Sequence, residues 1–134
     1  MTTSRPSLPA AMAVALLLVL VELGAVVALA VGMIVEAVGG TAQTPGSTVV
    51  LAVIFLLLTV LLALACRALW LGQRWGRGPV ITWQLLLLAI GVSQSATLVG
   101  WLVALLVVLP VVVAVGLLVP PSVAWTAPAG PPRR

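Results

Sequence analysis

The sequence lacks five residue types that carry much of protein chemistry. Histidine, aspartate, lysine, asparagine and tyrosine are absent from its 134 residues, and cysteine occurs once, as Cys66. Metal binding and acid–base catalysis depend mainly on those side chains, and a single cysteine cannot form an intramolecular disulfide. We therefore predict that the chain is not an enzyme and that it has no catalytic residue, no metal site and no cofactor.

Charged residues are also scarce. They make up 6% of the chain, against 63% hydrophobic residues, and the mean hydropathy is +1.37. In a soluble domain about a quarter of all residues are charged. Because this chain has so few, we expect it to lie in a lipid bilayer. The net charge of +4 is compatible with nucleic-acid binding, but the arginines flank apolar runs instead of forming a basic face. We therefore predict no nucleic-acid partner.

Long apolar runs separated by turn residues predict an all-α, polytopic membrane protein with four transmembrane helices in an antiparallel bundle. The run after Pro79 is long enough to cross a hydrocarbon core of about 30 Å twice. The expected transmembrane domain spans residues 9–119, with helices at about 9–38, 48–72, 79–96 and 98–119. Residues 1–8 are the expected cytoplasmic N-terminal segment, and residues 120–134 a Pro-rich cytoplasmic tail.

The first apolar run has a second interpretation, because Ala28, Leu29 and Ala30 are typical of a signal-peptide cleavage site. The run is too long for the hydrophobic region of a signal peptide, and Glu22 lies inside it. A retained transmembrane helix is therefore favoured over a cleaved segment.

Arginine is concentrated between the second and third expected helices, in the stretch RALWLGQRWGRGP. With four crossings, this connection lies on the same side of the membrane as both chain termini, which carry the other arginines. Positive charge marks the cytoplasmic side, so we predict a multi-pass protein of the cytoplasmic membrane with both termini inside. The side chains expected to anchor this end at the membrane interface are Arg67, Trp70, Arg74, Trp75, Arg77 and Trp83.

Clustered arginines beside a membrane also attract anionic lipid headgroups. Three arginines are fewer than the number typical of a dedicated lipid site, so the sequence favours the anchor interpretation.

The stretch ALWLGQRWGRGPVITWQLLLLAIGVSQS, together with PPSVAWT after the fourth expected helix, resembles small uncharacterised four-helix integral membrane proteins of actinobacteria. In those proteins an Arg/Trp/Gly/Pro loop leads into a Gln-Leu-Leu helix, a polar turn, a further apolar helix and a Pro-containing tail. The resemblance covers about residues 47–125. This chain departs from the pattern after the Pro-Ser of the tail, where arginine returns only at Arg133. The resemblance implies a membrane location and no particular activity.

Polar side chains inside the expected helices are the candidate site. Glu22 lies roughly 18 Å along the first helix, near the bilayer midplane, where an ionisable side chain usually faces the bundle interior and finds a partner. Thr59 of the second helix lies at a similar depth, so we predict a Glu22–Thr59 hydrogen bond. Arg67 and Gln84 lie nearer the cytoplasmic side and form a second expected pair.

A ladder of small residues, Gly24, Ala28 and Gly32, follows the first helix at four-residue spacing. Such ladders let a neighbouring helix approach closely. The ladder predicts packing within the bundle or, alternatively, homodimerisation through this face.

We predict a structural or interaction component of the cytoplasmic membrane, whose partners are the lipid bilayer and a second copy of the chain or another membrane protein. The alternative is a small proton-coupled transporter that uses the midplane carboxyl of Glu22.

Overall fold

A computed structural model describes residues 8–127, which form helices joined by short connections. The α-helices and one 3₁₀ turn are α1 (Ala10–Val38), α2 (Pro45–Trp70), the 3₁₀ turn (Arg74–Gly76), α3 (Arg77–Ser93), α4 (Gly100–Leu118) and α5 (Pro120–Trp125). No strand occurs between residues 8 and 127. Three of these helices, α1, α2 and α4, are long and apolar enough to cross a membrane. The chain is therefore all-helical and suited to a lipid bilayer.

Proline and glycine set several of the helix boundaries. Pro45 and Pro120 occupy the first turns of α2 and α5, where a missing backbone N–H costs nothing. Gly40 and Gly72 follow α1 and α2 with φ angles of 75° and 76°, a left-handed conformation that glycine adopts without steric penalty. The first four α-helices differ from the predicted ranges 9–38, 48–72, 79–96 and 98–119 by only a few residues at each end.

The four longer helices make a closed ring of contacts. α1 packs against α2 and α4, and α3 packs against α4 and α2, so α1 and α3 lie diagonally across the ring. Glycine permits the close approaches: a Cβ atom on Gly91 would lie 2.9 Å from the Cβ of Leu106, and one on Gly116 would lie 3.1 Å from the Cβ of Ala15. These two glycines bring α4 close to α3 and α1.

The hydrophobic core lies towards one end of the ring. It draws on the first half of α1, the second half of α2, the beginning of α3 and the end of α4. Its buried members are Met12, Ala15, Leu16, Val19, Leu23, Leu62, Ala65, Cys66, Leu69, Val80, Trp83, Val113 and Leu117. The same end carries the arginine-rich connection between α2 and α3. Large apolar side chains outside this core are widely exposed, as in Val21 (69%) and Leu57 (66%), which fits a surface covered by lipid.

The segment after α4, which the sequence predicts as a Pro-rich tail, begins with a helix that packs against the other helices. This helix is α5, in which Ser122 is buried, and the following Thr126 is buried as well. The Ser122 hydroxyl donates to the carbonyl of Gly116 at 2.7 Å, and the Trp125 indole donates to the carbonyl of Leu69 at 3.2 Å. Carbonyls in the last turn of a helix lack intrahelical partners, so the end of α2 offers Trp125 an acceptor. Residues 128–134 and 1–7 lie outside the described residues.

Candidate functional site

Three buried side chains meet inside the ring of helices. The carboxyl oxygen Oε2 of Glu22, on α1, accepts hydrogen bonds from Nε2 of Gln84 at 2.9 Å and from Nε1 of Trp83 at 3.2 Å. Glu22 is 9% exposed, Trp83 6% and Gln84 1%. We call this group the Glu22 cluster. It joins α1 to α3, the two helices that lie diagonally across the ring.

The cluster forms because the polar side chains of α1 and α3 point towards each other. Trp83 and Gln84 are consecutive in the first half of α3, about 100° apart around the helix axis. Two neighbouring side chains at that angle can both reach one acceptor atom on the opposite helix. A buried indole N–H and a buried amide each need such an acceptor, and the carboxyl of Glu22 supplies it for both.

Two oxygens of the cluster have no hydrogen-bond partner among the described residues. They are Oε1 of Glu22 and Oε1 of Gln84, and both are buried. A carboxyl with one bonded oxygen and one unbonded oxygen can hold its helix partners through the first and still carry a proton on the second. The cluster therefore combines a structural bond with an unused acceptor.

An apolar groove runs beside the cluster, between α1, α3 and α4. Glu22 and Trp83 border it, and its other walls are apolar side chains that include Leu106 and Pro110. The groove has a volume of about 290 Å³. It places the carboxyl of Glu22 next to an apolar space that is partly open to the outside of the ring.

The structure pairs Glu22 and Thr59 differently from the prediction. The hydroxyl of Thr59 donates to the carbonyl of Phe55 at 2.8 Å, one turn earlier in its own helix. Threonine in a transmembrane helix satisfies itself in this way when no partner faces it. The sequence predicted a similar depth for Thr59 and Glu22, but the carboxyl of Glu22 is directed towards α3.

The expected Arg67–Gln84 pair is also replaced. The amide of Gln84 is bonded to Glu22, and Arg67 is exposed on the outside of α2. A long cationic side chain near a helix end extends towards the membrane surface more cheaply than it enters the interior. The structure thus joins Glu22 and Gln84, which the sequence had assigned to separate pairs.

Of the expected interface anchors, Trp83 is in a different place: it is buried in the Glu22 cluster. Trp70 and Trp75 are exposed at 61% and 51%, and the indole of Trp75 donates to the side chain of Gln73 at 2.9 Å. Arg74 is exposed, whereas Arg77 is half-buried and donates to the carbonyl of Ser122.

The sequence does not reveal the role of Trp83, because an indole beside an arginine-rich loop also fits the belt of aromatic side chains at a membrane interface. The feature that could have indicated a buried polar cluster is Gln84, the polar residue next to Trp83 inside an apolar helix.

The small-residue ladder does not pack within the chain. Gly24, Ala28 and Gly32 are all exposed, and a Cβ atom on either glycine would meet nothing within 4 Å. Rotation around the helix explains this, because Gly24 is about 200° from Glu22. A helix that turns Glu22 inward therefore turns Gly24 outward, and Ala28 and Gly32 lie about 120° and 80° from Glu22 around the axis, towards the edge of the outward face.

Between residues 8 and 127 there is no group of three or more His, Cys, Asp or Glu side chains that could hold a metal ion. Comparison of the chain with protein-family models, with curated proteins and with solved structures finds no match.

We expect Glu22→Leu to lower the free energy of unfolding by about 1–2 kcal/mol. Leucine leaves the buried N–H groups of Trp83 and Gln84 without an acceptor. Glu22→Gln keeps an oxygen at this position and should cost less than half as much. The measurement is reversible unfolding of the purified protein in a single detergent.

Thr59→Val is the matched control, because the Thr59 hydroxyl bonds only within its own helix, and we expect it to change stability by less than about 0.5 kcal/mol. A Glu22→Leu protein as stable as the wild type would show that the cluster does not stabilise the fold.

Proposed function

We propose that the chain is a multi-pass protein of the cytoplasmic membrane that crosses the bilayer four times as an antiparallel bundle. The ring of contacts among α1 to α4 supports this, as does the common end formed by the start of α1, the end of α2, the start of α3 and the end of α4. α3 has 17 residues and is therefore about 26 Å long. A helix slightly shorter than the hydrocarbon core is accommodated by local thinning of the bilayer.

The proposed orientation places the arginine-rich end in the cytoplasm. Arg67, Arg74 and Arg77 lie at this end, whereas the connections after α1 and α3 contain no arginine or lysine. The positive-inside rule assigns the basic end to the cytoplasm, together with both chain termini.

Cysteine labelling in intact cells tests this orientation on a Cys66→Ala background. We expect an impermeant thiol reagent to label Thr44→Cys, in the connection after α1, and to leave Gln73→Cys unlabelled until the cells are opened. Both positions are exposed, so accessibility within the protein is matched. The opposite labelling pattern would reverse the orientation.

We propose further that the protein has a non-catalytic, structural or interaction role in this membrane. The observation that carries the proposal is the open ladder of Gly24, Ala28 and Gly32 on the outside of α1. Lipid chains gain nothing special from a flat strip of small residues, whereas a second helix can approach such a strip closely and gain packing contacts. The partner helix belongs to a second copy of the chain or to another membrane protein.

Self-association through the ladder can be measured by energy transfer between labelled copies in liposomes at fixed protein-to-lipid ratio. We expect Ala28→Leu to weaken association several-fold, because leucine keeps the two helices apart. Ala104→Leu makes the same change at an exposed position of α4 and should leave association unchanged. Equal association in all three proteins would exclude the ladder as a contact between copies and leave another membrane protein as its partner.

A small proton-coupled transporter is the second candidate function. It is supported by the unpartnered Oε1 of Glu22 beside the apolar groove, since a buried carboxyl next to a solute-sized space can exchange a proton for a solute.

The transport candidate predicts proton flux in proteoliposomes carrying an imposed solute gradient. The flux should disappear in Glu22→Gln at equal amounts of reconstituted protein and persist in Glu36→Gln, which changes an exposed glutamate near the end of α1. Flux that survives Glu22→Gln would remove Glu22 from any transport step.

A further inference from the structure

A second groove lies on the outside of the molecule, between α1 and α2. Its walls are apolar side chains of α1 between Ala13 and Leu20, together with Ala63 and Cys66 of α2. Arg67 and Trp70 border it, and its volume is about 440 Å³. Nothing in the Glu22 cluster or in the ladder uses this groove.

Arg67 supplies the charge of the groove. Its guanidinium makes no hydrogen bond to any residue between 8 and 127, and Gln84, its expected partner, instead donates its side-chain amide to Glu22. The two acidic residues of the chain are also elsewhere: Glu22 is engaged in its cluster, and Glu36 is close to the far end of α1. An exposed arginine thus lies beside an apolar groove, with Arg74 in the adjoining connection and Arg77 at the start of α3, and neither glutamate forms a salt bridge with any of them.

The groove has a polar end and an apolar end. Arg67 and Trp70 lie in the last turn of α2, at the membrane-surface end. Ala63 lies about two turns deeper, so the apolar part extends roughly 10 Å from Trp70 towards the middle of the bilayer. This is the direction in which a phospholipid lies, with its phosphate at the surface and its acyl chains inward. A soluble anion would match only the arginine and leave the apolar walls unused.

We propose that this groove is a binding site for one anionic phospholipid. One acyl chain lies along the apolar walls between α1 and α2, and the guanidinium of Arg67 binds the phosphate through charge-assisted hydrogen bonds. The exposed indole of Trp70 lies at headgroup level beside it. The arginine-rich end then attracts anionic lipid in general, whereas Arg67 holds one molecule at a defined place. This site is independent of the proposed interaction role of the ladder.

Lipid titration followed by native mass spectrometry tests the site. The purified full chain in a neutral detergent is titrated with phosphatidylglycerol and with phosphatidylcholine of identical acyl chains. We expect the first phosphatidylglycerol to bind about fivefold more tightly than phosphatidylcholine, and Arg67→Gln to remove that preference. Arg74→Gln removes the same charge from an exposed arginine that does not border the groove and should retain most of the preference.

A third variant tests the contribution of the apolar walls of the groove separately from that of the arginine charge. Ala63→Trp fills the apolar part without altering any charged group and should weaken the binding of the first lipid of either type. Circular dichroism and gel filtration establish that each variant is folded, and the exposed positions of Arg67, Arg74 and Ala63 make that the expected result.

Three outcomes would overturn the proposal. Equal losses in Arg67→Gln and Arg74→Gln would mean diffuse attraction by the whole basic end. Equal affinity for the two lipids would mean an unselective lipid annulus. Displacement of phosphatidylglycerol by millimolar inorganic phosphate, with Ala63→Trp unaffected, would mean a site for a free anion.

Discussion

The interior of a bilayer offers no water to a carboxyl group, and this constraint fixes the position of Glu22. Its carboxyl must find hydrogen bonds inside the protein, and it finds them on α3, across the ring of helices. Because α1 packs on α2 and α4, a long side chain reaching inward is what links it to the diagonal helix. The hydrogen bonds contribute modestly to stability, and they favour the same rotation of α1 about its axis as its buried apolar residues do.

That rotation determines what the rest of α1 displays. With Glu22 inward, Met12, Ala15 and Val19 enter the core, whereas Gly24, Ala28 and Gly32 are turned to the outside. The ladder is thereby removed from packing within the chain and made available to another helix. The polar contact of Glu22 and the apolar core residues of α1 together therefore decide which side of the helix is exposed.

The sequence could establish the helices, because apolar runs of sufficient length have few alternatives in a chain this poor in charge. It could also single out Glu22, since a carboxyl in such a run is costly wherever it points. To predict the hydrogen-bond partner of Glu22, the direction of each side chain around its helix axis is needed as well as its depth. Depth along the helices placed Thr59 level with Glu22, but the direction in which each side chain points depends on helix packing, which sequence spacing does not contain.

Trp83 and the last helix illustrate the same limit. An indole beside an arginine-rich loop satisfies the aromatic-belt pattern equally well in lipid or in a protein interior, and only the presence of an acceptor decides between them. For α5, proline-rich composition suggested a tail, yet Ser122 and Trp125 find carbonyl acceptors at the ends of α4 and α2. Six residues do not form a stable helix by themselves, so this element exists through tertiary contacts.

The same bilayer constraint has opposite consequences for Glu22 and Arg67. At the depth of Glu22 only protein can supply partners, so the carboxyl is enclosed by Trp83 and Gln84. Near the end of α2 the membrane surface itself contains anionic oxygens, so a guanidinium there can remain outside the bundle and still be satisfied. The two side chains thus differ in their surroundings: Glu22 is buried and bonded to another helix, and Arg67 is exposed on the outside of α2. Arg67 is at the surface end of α2 and exposed, whereas the unpartnered oxygens of Glu22 and Gln84 are buried in the cluster.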